Sequence, residues 1–176
     1  MIKIILIGMK GCGKSTVGKL LAEKLNIQFI ELDDELEKIH FQTKKENLTC
    51  REIYQKYGQK YFRKLETSAL IKLAKESENN NYILACGGGT PLNLANQKIL
   101  IKLGKIIYLK PAIEVLLERI VTNGIPAFFS DNQDPQKSLT ELLKVRDPIY
   151  SKLADVTLNC QTKMPTEIIT DIIKLL

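Results

Sequence analysis

The sequence predicts an α/β protein built on a parallel sheet, and three observations predict it. Short runs rich in aliphatic and β-branched residues alternate with longer amphipathic runs along the chain. The first short run, Ile4-Ile5-Leu6-Ile7, is apolar at every position rather than at alternate ones, as in a strand covered on both faces. That run then ends in the glycine-rich segment "GMKGCGKST", followed by an amphipathic stretch, which is the order strand, turn, helix.

Read in order, strands fall at 2–7, 28–32, 82–86, 105–109 and 155–159. Helices are expected over 14–25, 34–40, 50–57, 59–78, 92–103, 112–122, 136–152 and 165–175. The polar triplet Asn79-Asn80-Asn81 is a helix exit before the third strand, and Gly87-Gly88-Gly89 closes that strand. No repeat or Pro/Ser-rich linker divides the chain, so its 176 residues, 44% of them hydrophobic, are read as one domain, 1–176. Two segments interrupt the strand-helix rhythm: a helical stretch between strands two and three, over 33–80, and a polar loop at 123–135 within 120–136. Ligands of open α/β sheets lie beyond the carboxyl ends of the strands, which both insertions are long enough to cover.

Composition narrows the function classes. No apolar run approaches the roughly 20 residues of a membrane helix, and the chain enters a strand pattern without a signal-peptide layout, so a cytoplasmic protein with no membrane partner is expected. Cys12, Cys50, Cys86 and Cys160 are far apart and accompanied by one histidine, which suggests reduced thiols rather than a zinc site or a disulfide framework. The formal charge of +6 comes from lysines scattered among acids, which suits a small anionic ligand and gives no block for nucleic acid. Only Arg51, Arg63, Arg119 and Arg146 are arginines among 26 basic residues, so a planar fork for carboxylate or phosphate is sought at those positions.

Gly8-x-x-x-x-Gly13-Lys14-Ser15 matches the P-loop at every position. In such a loop the backbone of Gly11, Cys12 and Gly13 turns its N–H groups towards phosphate, and the helix that starts with Lys14, Ser15 and Thr16 adds its positive end. Lys14 reaches the β- and γ-oxygens as a charge without a packing role, and Ser15 ligates magnesium. Cys12 is read as a small residue accepted by the loop. The motif names a donor site only; a GTPase is disfavoured because no NKxD-like base-reading motif follows. "FIELDDELEK" places Glu31, Asp33 and Asp34 at the end of strand two, where a carboxylate can hold metal through water or accept a hydroxyl proton; Asp33 can equally cap the helix that follows. His40, further along, is read as a surface helix residue. In "YFRKLE" Glu66 lies one turn after Arg63 and can fix its fork, and Gly87, Gly88 and Gly89 can present consecutive N–H groups to a ligand oxygen.

With the P-loop, the "LDD" acid, "FRKLE", "GGGT" and "RDPIY" followed by "AD" in this order, the sequence resembles the shikimate kinases from Ile4 to the carboxyl terminus. The resemblance implies a three-layer P-loop kinase fold with a five-stranded parallel sheet flanked by helices, a substrate-binding helical insertion at 33–80 and a lid at 120–136. It implies transfer of the γ-phosphate of MgATP to the 3-hydroxyl of shikimate, with Mg2+ as cofactor. Position by position, Lys14 and Asp33 match the catalytic residues. Asp33, Arg63, Gly87, Gly88, Gly89 and Arg146 match the substrate pocket, and Arg119 matches the arginine against adenine. A monomer is expected.

Three departures stand out. Glu31 occupies the place of a family aspartate, the segment 40–49 is longer than usual and adds Lys44 and Lys45 at the expected pocket rim, and Ile125 replaces the lid arginine in "IPAFF". No Lys or Arg occurs from Ile120 to Gln136. A kinase for another hydroxy acid, such as gluconate, and a nucleotide- and ligand-binding module with weak turnover are therefore the alternatives to shikimate phosphorylation.

Overall fold

Cover on both faces is what an apolar β1 (Lys3–Ile7) demands, since successive side chains of a strand point to opposite sides. The computed structural model, which describes residues 1–77, 79–122 and 134–176, provides that cover. Ile4, Ile5, Leu6 and Ile7 have no accessible surface, and the same holds for Tyr82, Ile83, Leu84 and Ala85 of β3 (Tyr82–Ala85). With β2 (Gln28–Glu31), β4 (Lys105–Pro111) and β5 (Val156–Gln161) these form one five-stranded, all-parallel sheet of order β2-β3-β1-β4-β5. β1 is central, with Ile4 opposite Ile83 on one side and Lys105 on the other.

The connecting helices are α1 (Lys14–Leu25), α2 (Leu32–Lys44), α3 (Cys50–Glu76), α4 (Leu94–Leu103), α5 (Ile113–Thr122), α6 (Pro135–Leu153) and α7 (Pro165–Ile173). α1 packs on β1, β2 and β3 and against α7, whereas α4 packs on β1 and β4 and against α3. Among the described residues no helix is long and apolar enough to cross a membrane. The expected lid residues Ile125, Pro126, Ala127, Phe128 and Phe129 lie outside the described residues.

Several local differences have clear causes. α3 starts with a capping box in which the Thr49 hydroxyl accepts from the Glu52 amide and Glu52 accepts from the Thr49 amide. The expected break between 57 and 59 is present: Gly58 sits at φ 77°, ψ 172°, a conformation open to glycine, and divides α3 into two helical stretches. The expected helix at 92–103 is preceded by a 3-10 turn (Thr90–Leu92) and starts later, because the Asn93 side chain caps it through the Ala95 amide. β5 runs to Gln161 because β4 continues beside it to Pro111, with an irregular register at Lys110 and Pro111.

Asp33 does not cap α2: the helix begins at Leu32 directly after β2, Glu31 is the N-cap position, and no side-chain cap bond is made. His40 is a correction too. It is fully buried, in the inward stripe of Leu32 and Leu36, with its ring edge-on to Tyr57 and Tyr61 at 5.2 and 5.8 Å. Its Nδ1 lies 3.0 Å from the Tyr61 hydroxyl, and Glu46 Oε2 lies 3.7 Å from Nε2. The longer 40–49 segment thus closes a small aromatic core between α2 and α3. Lys44 stands 5.7 Å from the Tyr57 ring centre and Lys45 6.0 Å from that of Phe41, and neither borders the ligand cavities described below.

Close approach at the foot of the sheet yields a prediction. A Cβ on Gly104, between α4 and β4, would meet the Lys3 carbonyl oxygen and lie 2.6 Å from Lys3 Cβ. Gly104→Ala should cost about 1–3 kcal/mol through overpacking, read as a lower denaturant midpoint with an unchanged m-value.

Candidate active site

The carboxyl ends of β1, β2 and β3 open on a cavity of about 650 Å³. It lies beside β1, where the strand order turns back, as expected of a ligand crevice in an open α/β sheet. The loop after β1 forms its floor. Gly11 and Gly13 have φ of 83° and 96°, left-handed values that let the chain curl before α1 begins at Lys14. α1 has no side-chain cap bond and no acid in its first turn, so its amino end offers an uncompensated positive pole to an anion.

Lys14 is buried, and its Nζ donates to the carbonyls of Gly8 and Met9 at 3.0 and 2.9 Å and to Cys12 Sγ at 3.6 Å. It therefore has a loop-holding role that its sequence position did not announce. Cys12 is buried within the loop, whereas Ser15 and Thr16 are exposed on the first turn of α1. Arg119 of α5 also reaches the loop, donating to the Gly11 carbonyl at 3.1 Å, and lines the cavity together with Lys163, Pro165 and Ile168.

A second cavity of about 190 Å³ adjoins the first and shares Lys10, Asp33, Arg63, Gly87, Gly88 and Gly89 with it. Asp33 is half-buried here, and burial followed by the Glu31 carboxylate beside it pushes its carboxyl up to about 6. Glu31 is raised too, chiefly by burial, with the Ser15 hydroxyl and Lys14 acting in the opposite sense. Arg63 pairs through Nη1 with the buried carboxylate of Glu66, which also accepts from the Thr90 hydroxyl at 2.7 Å. The expected helix pair is therefore the foot of a buried network. Gly89 has a part the sequence did not suggest: a Cβ there would run into the Arg63 guanidinium, so this glycine makes room for the fork as well as exposing backbone.

Arg146 enters from α6, its Nη1 3.6 Å from Met9 Sδ. Tyr150, one turn later, was missed in the sequence. Its hydroxyl, which burial pushes up to about 12 and so keeps protonated, donates to the Gly88 carbonyl and contacts Met9 Sδ at 3.7 Å. The i, i+4 spacing of Arg146 and Tyr150 was the available signal. Every site residue expected from the sequence borders the larger cavity: Gly11, Cys12, Gly13, Lys14, Ser15, Thr16, Asp33, Arg63, Gly87, Gly88, Gly89, Arg119 and Arg146.

Comparison with known proteins decides the family. The shikimate kinase family model matches residues 10–176 of the chain. The chain belongs to the shikimate kinase family. The shikimate kinase of Caldanaerobacter subterraneus subsp. tengcongensis is 39% identical over 175 residues, covering 99% of this chain and 95% of that protein. Among solved structures, a shikimate kinase from Acinetobacter baumannii in complex with shikimate superposes with a TM-score of 0.85 at 32% identity, over 99% of this chain and 93% of that one. The shikimate kinase from Aquifex aeolicus gives a TM-score of 0.77 at 32% identity, over 99% and 95% of the two chains. The P-loop kinase fold and an ATP-dependent kinase activity follow from membership of the shikimate kinase family.

The paired carboxylates give a titration to follow. Asp33 should titrate near 6 in the nucleotide-free protein, and Glu31→Gln should lower that value by removing the neighbouring negative charge while burial keeps it above the ordinary 3.8. Carbon-13 NMR of the Asp33 carboxyl against pH measures both; an unshifted midpoint in the variant would show that the two carboxylates do not interact.

Proposed function

We propose that the chain transfers the γ-phosphoryl group of MgATP to the 3-hydroxyl of shikimate. The observation that carries this reading is the continuous passage from a P-loop to a pocket that combines a carboxylate, Asp33, with two arginine forks, Arg63 and Arg146. Shikimate has one carboxylate and a ring of hydroxyls, and this set of side chains is complementary to both ends.

On this reading the amides of Gly11, Cys12, Gly13 and the first turn of α1 through Thr16 hold the β-phosphate, and Lys14 exchanges its two loop carbonyls for phosphate oxygens. Arg119 lies against the base. Arg63 and Arg146 clamp the carboxylate of the acceptor, and the backbone of Gly87, Gly88 and Gly89 borders its ring. Asp33 orients the reacting hydroxyl and takes its proton; a carboxyl raised to about 6 is a stronger base than an ordinary one and is still mainly ionised at neutral pH.

Ser15, with Glu31 nearby, would hold Mg2+. These are hard oxygen donors, and magnesium is commonly held by one or two protein oxygens together with phosphates and water; among the described residues no cluster of three or more His, Cys, Asp or Glu forms a separate metal cage. Held there, the ion would supply charge neutralisation to the phosphoryl donor. The enzyme is read as a monomer, because one chain supplies every group named. A cytoplasmic location suits its use of ATP.

ADP release with MgATP and a panel of shikimate, quinate, gluconate and nucleoside monophosphates tests the assignment. Turnover should be specific to shikimate, and turnover only with gluconate or with no member would reject it. Arg63→Lys and Arg146→Lys should each raise KM for shikimate about tenfold or more with little change for ATP, since losing one charge-assisted hydrogen bond costs about 1.5–3 kcal/mol. Asp33→Asn should instead lower kcat by roughly 10² to 10⁴, the range of general acid–base contributions.

A further inference from the structure

Six cationic side chains border the larger cavity: Lys10, Lys14, Arg63, Arg119, Arg146 and Lys163. Five have protein partners. Lys14 donates to two loop carbonyls, Arg63 pairs with Glu66, Arg119 donates to Gly11, Arg146 contacts Met9 and Lys163 pairs with Asp171. Lys10 is exposed and, among the described residues, has no hydrogen bond, ion pair or ring contact. A lysine in open solvent would need no partner, but Lys10 stands at a seam. It borders both the cavity over the P-loop and the adjoining one that holds Asp33 and Arg63. Its backbone is fixed there, since a Cβ on Gly88 would lie 3.2 Å from the Lys10 amide nitrogen.

We propose that Lys10 is a catalytic residue of this kinase, its ammonium meeting the phosphoryl group in passage between the two cavities. The inference deepens the function proposed above and rests on it. In that transfer the bond from γ-phosphorus to its bridging oxygen breaks, a bond to the acceptor hydroxyl oxygen forms, and the hydroxyl proton goes to Asp33. Lys10 gives and takes no proton. Its charge opposes the negative charge spread over the three equatorial oxygens as the group crosses the seam, a position occupied by neither the donor nor the product phosphate. The segment from Ile120 to Gln136 contains no Lys or Arg.

The test compares the wild-type protein with Lys10→Met and Lys10→Arg. ADP-release kinetics are measured with shikimate, and affinities are measured for MgADP and for MgADP with tetrafluoroaluminate, a mimic of the phosphoryl group in flight. Lys10→Met should lower kcat by roughly 10² to 10³, the usual effect of removing one preorganised charge-stabilising group. MgADP affinity and KM for shikimate should be nearly unchanged, with a loss of tetrafluoroaluminate affinity comparable to that of kcat. Lys10→Arg should retain most of the rate. Unchanged MgADP affinity also shows that the variant is folded. Wild-type kcat in Lys10→Met overturns the proposal. So does an effect confined to KM for shikimate, which would make Lys10 a carboxylate contact, or an equal loss for MgADP and its fluoroaluminate complex, which would make it a nucleotide contact. Absence of turnover by the wild-type protein with shikimate counts against the acceptor assignment instead, and the two nucleotide affinities, measured without acceptor, still decide the role of Lys10.

Discussion

The whole site hangs on how β1 is allowed to end. Ile7 is the last residue of a strand shielded on both faces, and Lys14 is already helical, so the intervening loop must leave the core and reverse within residues 8–13. Left-handed backbone at Gly11 and Gly13 makes that reversal possible and leaves the amino end of α1 uncapped by side chains. Three other parts of the chain then lean on the same loop. Arg119 holds it from α5, the Gly88 backbone meets Lys10, and Met9 is contacted by Arg146 and Tyr150 from α6. A phosphate-sized bend is thereby fixed by elements distant in sequence.

Charge in the site is governed by burial and pairing. Glu66 is buried under Arg63, and burial is the main reason that the carboxyls of Asp33 and Glu31 are raised. Burying Glu66 without a partner would be expensive, and the pair with Arg63 and the bond from Thr90 supply one. The same contacts restrict the guanidinium to one orientation, with Gly89 beneath it. The cost of the buried acid and the positioning of the fork are thus two aspects of a single contact set.

Most of the fold was legible because its signals are local. Apolar runs of strand length, the P-loop spacing and the helix break at Gly58 each act within a few residues of where they are read. The polar side chains expected in the site were legible for the same reason, since each follows a strand end or lies on one helical face. What escaped depended on long-range packing. His40 looked like a surface residue because its polarity outweighed the Leu32-Leu36-His40 spacing, although Tyr57 and Tyr61 from another helix bury it. Tyr150 meets Gly88 across 62 residues, a relation marked in the sequence only by its spacing from Arg146, and Gly89 is kept small by a guanidinium from α3, which nothing in its local sequence marks. The lysine pair at 44 and 45 misled for the converse reason, its charge suggesting a ligand while the rings of Tyr57 and Phe41 take it up.

The strand order has a consequence for synthesis. β1 leaves the ribosome first yet occupies the middle of the sheet, and neither of its neighbours is adjacent in sequence: β3 begins at Tyr82 and β4 at Lys105. Parallel pairing over such separations is slow to form because the loop entropy is lost before contacts are gained. A nascent chain arrested before β3 would therefore carry an unpaired strand, apolar from Ile4 to Ile7, next to a loop with no walls. Such a chain is exposed to misassociation until the third strand emerges, and nucleotide cannot rescue it early, because the groups that fix the loop from α5 and α6 are translated later still.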